Sequence, residues 1–225
     1  MKPVRKDAAR TRGRLLAAAS VLFAEQGFRE TTVAAICTRA RANVAAVNYH
    51  FGSKEELYVA AWQHAFEASI AKHPPDGGVP PHAPARERFA GRVRSMIERI
   101  ADPKSHEFEI VHREFAGPTG LLSEVMRERI RPLRAGLESV IRELLGAEAD
   151  PETVRFCATS IHAQCFGPLL KLRRRRRTPH APHPAGLADL DLERYADHVV
   201  AFSLAGLRSL RRQSAGRRES RRMVQ

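Results

Sequence analysis

Strand patterning is the first thing this sequence lacks. No alternating run of Val, Ile and Thr is bounded by turn residues, so no sheet is expected. Cysteine is scarce as well. Cys37, Cys157 and Cys165 are too few for a disulfide framework, and each lies in an apolar stretch where a thiol behaves as a small hydrophobe. A reducing, cytoplasmic setting is the expectation. No apolar run approaches the roughly 20 residues of a membrane span. The stretch Leu15–Ala24 follows a basic start and imitates a signal peptide, but Glu25 and Gln26 interrupt it at once, so it reads as a folded helix. Phosphate-binding loops, nucleophile elbows and metalloprotease patterns are missing, and no enzyme activity is expected. Lysine is rare too, supplying only six of the 38 basic residues.

What remains is a basic, helix-patterned chain of 225 residues, 43% hydrophobic, with a formal net charge of +13. That much apolar content supports a sizeable core. The charge favours a polyanionic partner, either nucleic acid or an anionic membrane, against the plainer reading of an Arg-rich composition with no partner. Helical periodicity runs throughout, so the fold class is all-α.

The first helix is expected over Asp7–Gln26, with Leu15, Ala19, Leu22 and Phe23 as one apolar stripe. Gly27 ends it, and Phe28 folds back onto the stripe. Thr31 and Thr32 cap a short helix, Val33–Ala40; Asn43 caps a second, Val44–His50. Ser53-Lys54-Glu55-Glu56 forms a capping box that opens a fourth helix, running to Ala71. The segment from His73 to Ala85, rich in Pro and Gly, separates an N-terminal domain (1–72) from a helical domain at 86–212. That second domain carries helices near 86–101, 106–115, 121–145 (bent at Pro132), 151–172 and 192–210. Arg173–Gly186 reads as a charged loop, and 213–225 as a disordered basic tail.

Two short helices joined by a tight turn, between longer helices, have the layout of a helix-turn-helix whose second helix enters the major groove. Small residues suit such a helix, because its backbone must approach base edges closely. Ala45 and Ala46 permit that approach, and Val44 can touch a thymine methyl. Val47 and Phe51 point inward. Asn48 can read adenine through a bidentate contact, while Tyr49 and His50 can bond phosphates. Thr32 and Lys54 open helices, where free amides and the positive dipole end favour a phosphate. The basic N-terminal residues Lys2, Arg5, Lys6, Arg10, Arg12 and Arg14 are either an arm on DNA or a solvated terminus.

The segment "TTVAAICTRARANVAAVNYHFGSKEELY", with "FAEQGF" before it, resembles the DNA-binding segment of TetR-type transcriptional regulators. Its Val-Asn-Tyr-His-Phe ending and the later "RIRPL" resemble the CecR-like subgroup. The resemblance implies an all-helical homodimer that binds a palindromic operator on double-stranded DNA, with repression as the expected outcome. It also implies release by a small-molecule effector held in the C-terminal domain. The contact positions it carries over, taken with the caps above, give Thr32, Asn43, Val44, Ala45, Asn48, Tyr49, His50 and Lys54 as the expected DNA-binding set. Two residues depart from the family pattern. Arg41 stands where the turn usually has Gly, and Asn48 where Tyr is usual.

Phe108, His112, Phe115, Phe156, His162, Gln164 and Phe166 mix aromatic and polar groups, as either pocket lining or ordinary core would. Of these, Phe108, His112, Phe115, His162 and Phe166 are the candidate effector-pocket residues. Cys157, His162 and Cys165 lack metal-ligand spacing, so no metal and no cofactor are expected. The last two long helices, with Ala205 and Gly206 allowing close approach, are the candidate dimer interface. Arg173–Arg177 and the tail arginines are expected to be solvated. Two other classes remain for comparison: a helical enzyme or binding module for an anionic substrate, and a protein bound to an anionic membrane.

Overall fold

The computed structural model describes residues 3–146, 148–177 and 190–222, with side chains left aside at 3–6, 171–177 and 215–222. Among them are nine helices and no strand. They are α1 (Pro3–Glu30), α2 (Val33–Ala40), α3 (Val44–Phe51), α4 (Lys54–Lys72), α5 (Ala85–Ala101), α6 (Glu107–Ala116), α7 (Ser123–Leu145), α8 (Pro151–Arg177) and α9 (Leu192–Arg222). Contacts divide the chain into two compact units, Met1–Lys72 with Pro103–Arg129, and His73–Asp102 with Ile130–Gln225.

In the first unit, α1 packs against α2, α4 and α6. Leu15, Ala19 and Phe23 are fully buried, and Leu22 nearly so, as the apolar stripe requires. The helix breaks at Gly27, whose φ of 83° is cheap only without a Cβ. The break swings Phe28 back, so that its ring centroid lies 6.2 Å from Phe23 and 5.1 Å from Tyr58. Thr31, fully buried, donates to the carbonyls of Gly27 (2.7 Å) and Leu22 (3.2 Å), which satisfies acceptors that a helix end leaves open. Ser20 on α1 likewise donates across to the Ala61 carbonyl of α4, at 3.0 Å.

In the second unit, α5 packs against α8 and α9. Its buried face is Phe89, Val93, Ile97 and Ile100; α8 contributes Val154, Ile161, Cys165 and Leu169, and α9 contributes Val199, Leu204 and Leu207. Arg94 on α5 bonds Asp197 on α9 through both Nε (3.2 Å) and Nη2 (2.8 Å). The Tyr195 hydroxyl donates to the Gln164 carbonyl at 2.6 Å. The Pro/Gly-rich segment before α5 is fastened to that helix rather than loose. His73 Nε2 lies 3.2 Å from Asp102 Oδ2, and Ser95 donates to the Pro74 carbonyl at 2.5 Å. Gly77 and Gly91 let the two backbones touch, since a Cβ on either would collide with the other strand of chain.

Three expectations differ from the observed structure. The segment 103–129, expected inside the C-terminal domain, clusters with the N-terminal helices. Helix α8 runs through the arginine run to Arg177, and α9 continues to Arg222 instead of ending near Leu210 in a disordered tail. Arginine is a good helix former, and that propensity outweighs the charge in these stretches. The two-histidine loop at 179–184 lies outside the described residues, as do 223–225.

Candidate nucleic-acid interface

Helices α2 and α3 have eight residues each, too short to be stable alone in water. Their caps and their neighbours define them. Thr32, extended at φ −100° and ψ 149°, accepts from the Ala35 amide at 3.1 Å. Asn43 repeats the arrangement on α3, accepting from the Ala46 amide at 2.8 Å. Each cap therefore uses a side-chain oxygen within the protein. The Thr32 hydroxyl proton and the Asn43 NH2 remain as donors for an outside oxygen such as a phosphate. Ser53 caps α4 in the same way, 3.1 Å from the Glu56 amide.

The two faces of α3 are clearly separated. Val47 is 1% and Phe51 8% exposed. Burying two such side chains contributes about 1.5–3 kcal/mol each, so they fix the helix to the body. On the opposite side Val44 is 50% and Tyr49 80% exposed. Asn43, Ala45 and Asn48 are exposed as well, and His50 is half-buried. The Tyr49 and His50 rings meet edge to face, with centroids 4.9 Å apart. Helix α3 thus presents Val44 and Tyr49 to solvent on one side while Val47 and Phe51 anchor it on the other.

From Thr31 to Lys54 there are three cationic side chains, Arg39, Arg41 and Lys54, and no carboxylate. Arg39 and Arg41 are exposed. Arg41 closes α2 in the left-handed conformation (φ 50°, ψ 50°), the only non-glycine with positive φ among the described residues. It thus takes a backbone shape that glycine adopts most cheaply.

Lys54 opens α4, as expected. Its ammonium lies 4.5 Å from the centre of the Phe28 ring and 3.4 Å from the Arg29 carbonyl, which ties it to the end of α1. Its backbone amide, at the first position of α4, is the group left at the helix start. A further residue near α3 escapes local pattern reading. The Arg12 guanidinium of α1 sits 5.2 Å from the centre of the Phe51 ring, bringing the basic N-terminal part of α1 to the end of α3. The cluster of basic residues was visible in the sequence; its docking on Phe51 was not.

The candidate pocket residues do not form one group in either unit. Phe108, His112 and Phe115 lie on α6 in the first unit, whereas His162 and Phe166 lie on α8 in the second. Phe108 is buried, but Phe115 is 76% exposed. The His162 and Phe166 rings are 6.2 Å apart. Burial is the main reason the His162 pKa is held below its ordinary value; Arg134 and Arg99 push the same way and Glu138 opposes them. Cys37, Cys157 and Cys165 are all buried free thiols, and burial pushes Cys165 up to about 12.

A half-exposed, carboxylate-free second helix held by a capped turn defines a helix-turn-helix module in an all-helical protein. Comparison with known proteins gives the family. Residues 15–61 match the family model described as bacterial regulatory proteins of the tetR family, and residues 85–207 match the C-terminal domain of the HTH-type transcriptional dual regulator CecR. The chain belongs to the TetR family, in its CecR-like group. It is 33% identical over 149 residues to the dual regulator CecR of Shigella flexneri, a match covering 60% of this chain and 65% of that relative's length. Among solved structures, one described as a transcriptional regulator from Pseudomonas aeruginosa PAO1 has a TM-score of 0.71 at 19% identity, with 95% of both chains covered. AibR, solved with isovaleryl coenzyme A and operator DNA, has a TM-score of 0.63 at 22% identity, with 86% of this chain and 97% of that chain covered. The fold is shared with both.

Proposed function

We propose that this protein is a DNA-binding transcriptional repressor. It binds a palindromic operator as a homodimer and leaves it when a small-molecule effector binds. One observation carries the reading: the outer face of α3 (Val44, Ala45, Asn48 and Tyr49) is open while Val47 and Phe51 anchor it. In the contact we propose, Ala45 permits close approach, Asn48 reads a base edge, and Thr32, Asn43, Tyr49 and His50 bond phosphates. Lys54 contributes its backbone amide at the α4 start more than its tethered ammonium. Dimerisation is supported by open apolar side chains on α8 and α9, with Phe156 64% and Phe202 62% exposed, and by exposed Ala205 and Gly206. Effector release is supported by family membership and by AibR, which has been solved with a coenzyme A thioester. Within the second unit, His162 and Phe166 of α8 are the residues we assign to the effector site. Such release works as a population shift, the effector favouring a dimer whose α3 helices are wrongly spaced for the operator.

Duplex selection from a random library tests the reading. A palindromic sequence should emerge and stay bound at physiological salt, whereas charge-driven binding to an arbitrary duplex should collapse. Asn48→Ala should weaken the selected duplex by about 1–3 kcal/mol and relax preference at one position. Equal losses on selected and random DNA would remove Asn48 as a base reader. The alternatives of an anionic-substrate enzyme and a membrane-bound protein have less support. No helix among the described residues is long and apolar enough to cross a membrane, and the matched relatives are transcriptional regulators.

A further inference from the structure

Helix α9 outruns the part of the chain that its family accounts for. The CecR-type C-terminal model ends at residue 207, whereas α9 continues to Arg222. Leu207 is also the last buried residue of α9 among those described. Beyond it the backbone stays helical, and the Ser214 hydroxyl donates to the Leu210 carbonyl at 3.1 Å, one turn back. Residues 208–222 hold one large apolar residue, Leu210, seven arginines and a single carboxylate, Glu219. Their net charge of +6 is close to half the +13 of the whole chain.

A helix with no apolar stripe has no core of its own to pack on. Like charges one turn apart weaken it further, and Arg208 with Arg212, Arg217 with Arg221 and Arg218 with Arg222 are each spaced by four. Arginines near a helix C-terminus gain from the dipole, but that effect fades within the last turn and does not reach Arg208, Arg211 or Arg212. These three side chains are exposed, and none of them holds an ion pair or a hydrogen bond among the described contacts. An outside polyanion lying along such a segment removes the repulsion between its arginines.

The register narrows what that polyanion is. At 3.6 residues per turn, positions 208, 211, 212, 218 and 222 fall within roughly 120° of the helix circumference, with Glu219 as the one carboxylate among them. The side that carries Phe202 and Gly206 continues instead through Ser209, Gln213, Gly216 and Ser220, which are uncharged. Those five arginine positions thus lie on a different side from the one assigned to dimerisation. A helix lying in a membrane surface needs a broad apolar face opposite its basic one, and this segment has none. A duplex needs charge alone. Along the roughly 21 Å of helix from 208 to 222, either strand of B-DNA presents about six phosphates.

We propose that residues 208–222 form a second, sequence-independent contact on the phosphate backbone of double-stranded DNA. Helix α3 selects the sequence, and the end of α9 adds affinity that any duplex can supply. The choice of DNA over another polyanion rests on the DNA-binding reading above.

The test is fluorescence anisotropy of the full chain on its selected duplex and on a random duplex, across a salt series. Arg208→Gln, Arg211→Gln and Arg212→Gln are combined in one variant, since glutamine keeps helix propensity and removes charge. Arg127→Gln, Arg131→Gln and Arg142→Gln, all exposed on α7, form a control with the same loss of charge. Each phosphate contact contributes about 0.9 to the slope of log affinity against log salt. The α9 variant should therefore lose about 2–3 units of slope on both duplexes, and keep its preference for the selected one within about twofold. The control should stay within about half a unit of wild type. A chain truncated after Leu210 should lose at least as much slope as the α9 variant. Equal losses in the α9 variant and the control would mean that net charge acts at a distance, and would overturn the proposal. So would a loss of binding confined to duplex RNA, or to vesicles of phosphatidylserine and phosphatidylcholine. No binding to either duplex by the wild-type chain defeats the DNA-binding reading and this contact together. Selective binding with an unchanged slope in the α9 variant defeats the contact alone, whereas slope loss without any preference keeps the contact and defeats base reading by α3.

Discussion

Replacing Arg41 with glycine should make the protein more stable. Arg41 holds φ 50° and ψ 50°, with its amide bonded to the Thr38 carbonyl at 3.2 Å and the Ala42 amide to the Cys37 carbonyl at 2.9 Å. For a residue with a Cβ the left-handed conformation costs roughly 1–2 kcal/mol. Glycine removes that strain but gives the unfolded chain more freedom, a loss of about 0.4–1 kcal/mol. The difference favours Arg41→Gly by about 0.5–1 kcal/mol, or a rise of about 1–4 °C in melting temperature for a chain of this size. Arg41 is exposed and makes no ion pair among the described contacts, so little is lost with the side chain itself. Arg41→Ala is the control, since it removes the charge and keeps the Cβ. Thermal unfolding by circular dichroism should rank glycine above alanine, with alanine near wild type. Alanine equal to or above glycine would refute the strain argument, because only the Cβ distinguishes them. If the α2–α3 turn faces DNA, both variants should also lose about one unit of salt slope in duplex binding, as removal of one phosphate contact does.

Two further outcomes follow from buried titratable groups. The His162 pKa is lowered on folding, so the unfolded chain takes up the proton first; stability is fully present above the ordinary value of 6.5 and declines as pH falls below it. The drop in melting temperature between about pH 7.5 and pH 5.5 should therefore be smaller in His162→Gln, and an unchanged drop would rule out His162 as its source. The three cysteine thiols are buried, with Cys165 pushed up to about 12, so a thiol reagent at about pH 8 should label none in the native protein and all three in denaturant. Rapid native labelling of Cys165 would show that the α8 core opens.

Much of the geometry of α2 and α3 could be read from the sequence because its determinants are local. Gly27, the caps Thr32, Asn43 and Ser53, and the inward pair Val47 and Phe51 each depend on residues within one turn. The features that escaped are those set by distant partners. Nothing near Glu114 in sequence announces Tyr58, 56 positions away. The position of Lys54 at a helix start is local and legible, but the placing of its ammonium over the ring of Phe28, brought round by the break at Gly27, is not. The arginine-rich ends of α8 and α9 were misjudged for another reason: composition suggested a loop and a disordered tail, while helix propensity decided the backbone. The pocket residues show the same limit, since a list of aromatic and polar residues does not say which of two packed units each belongs to.

The division of α3 into two faces has a consequence for descent. Among its eight residues, those that hold the helix in place and those that meet its surroundings are different residues. Val47 and Phe51 are committed to the body, and changing them endangers folding. Asn48 and its exposed neighbours carry little of the fold's stability, so they are free to vary one at a time while the scaffold stays intact. A gene duplicate could therefore acquire a new target sequence through single substitutions on the outer face, without first passing through an unstable intermediate. Asn48 is one such outward residue, and its replacement would leave the buried pair untouched.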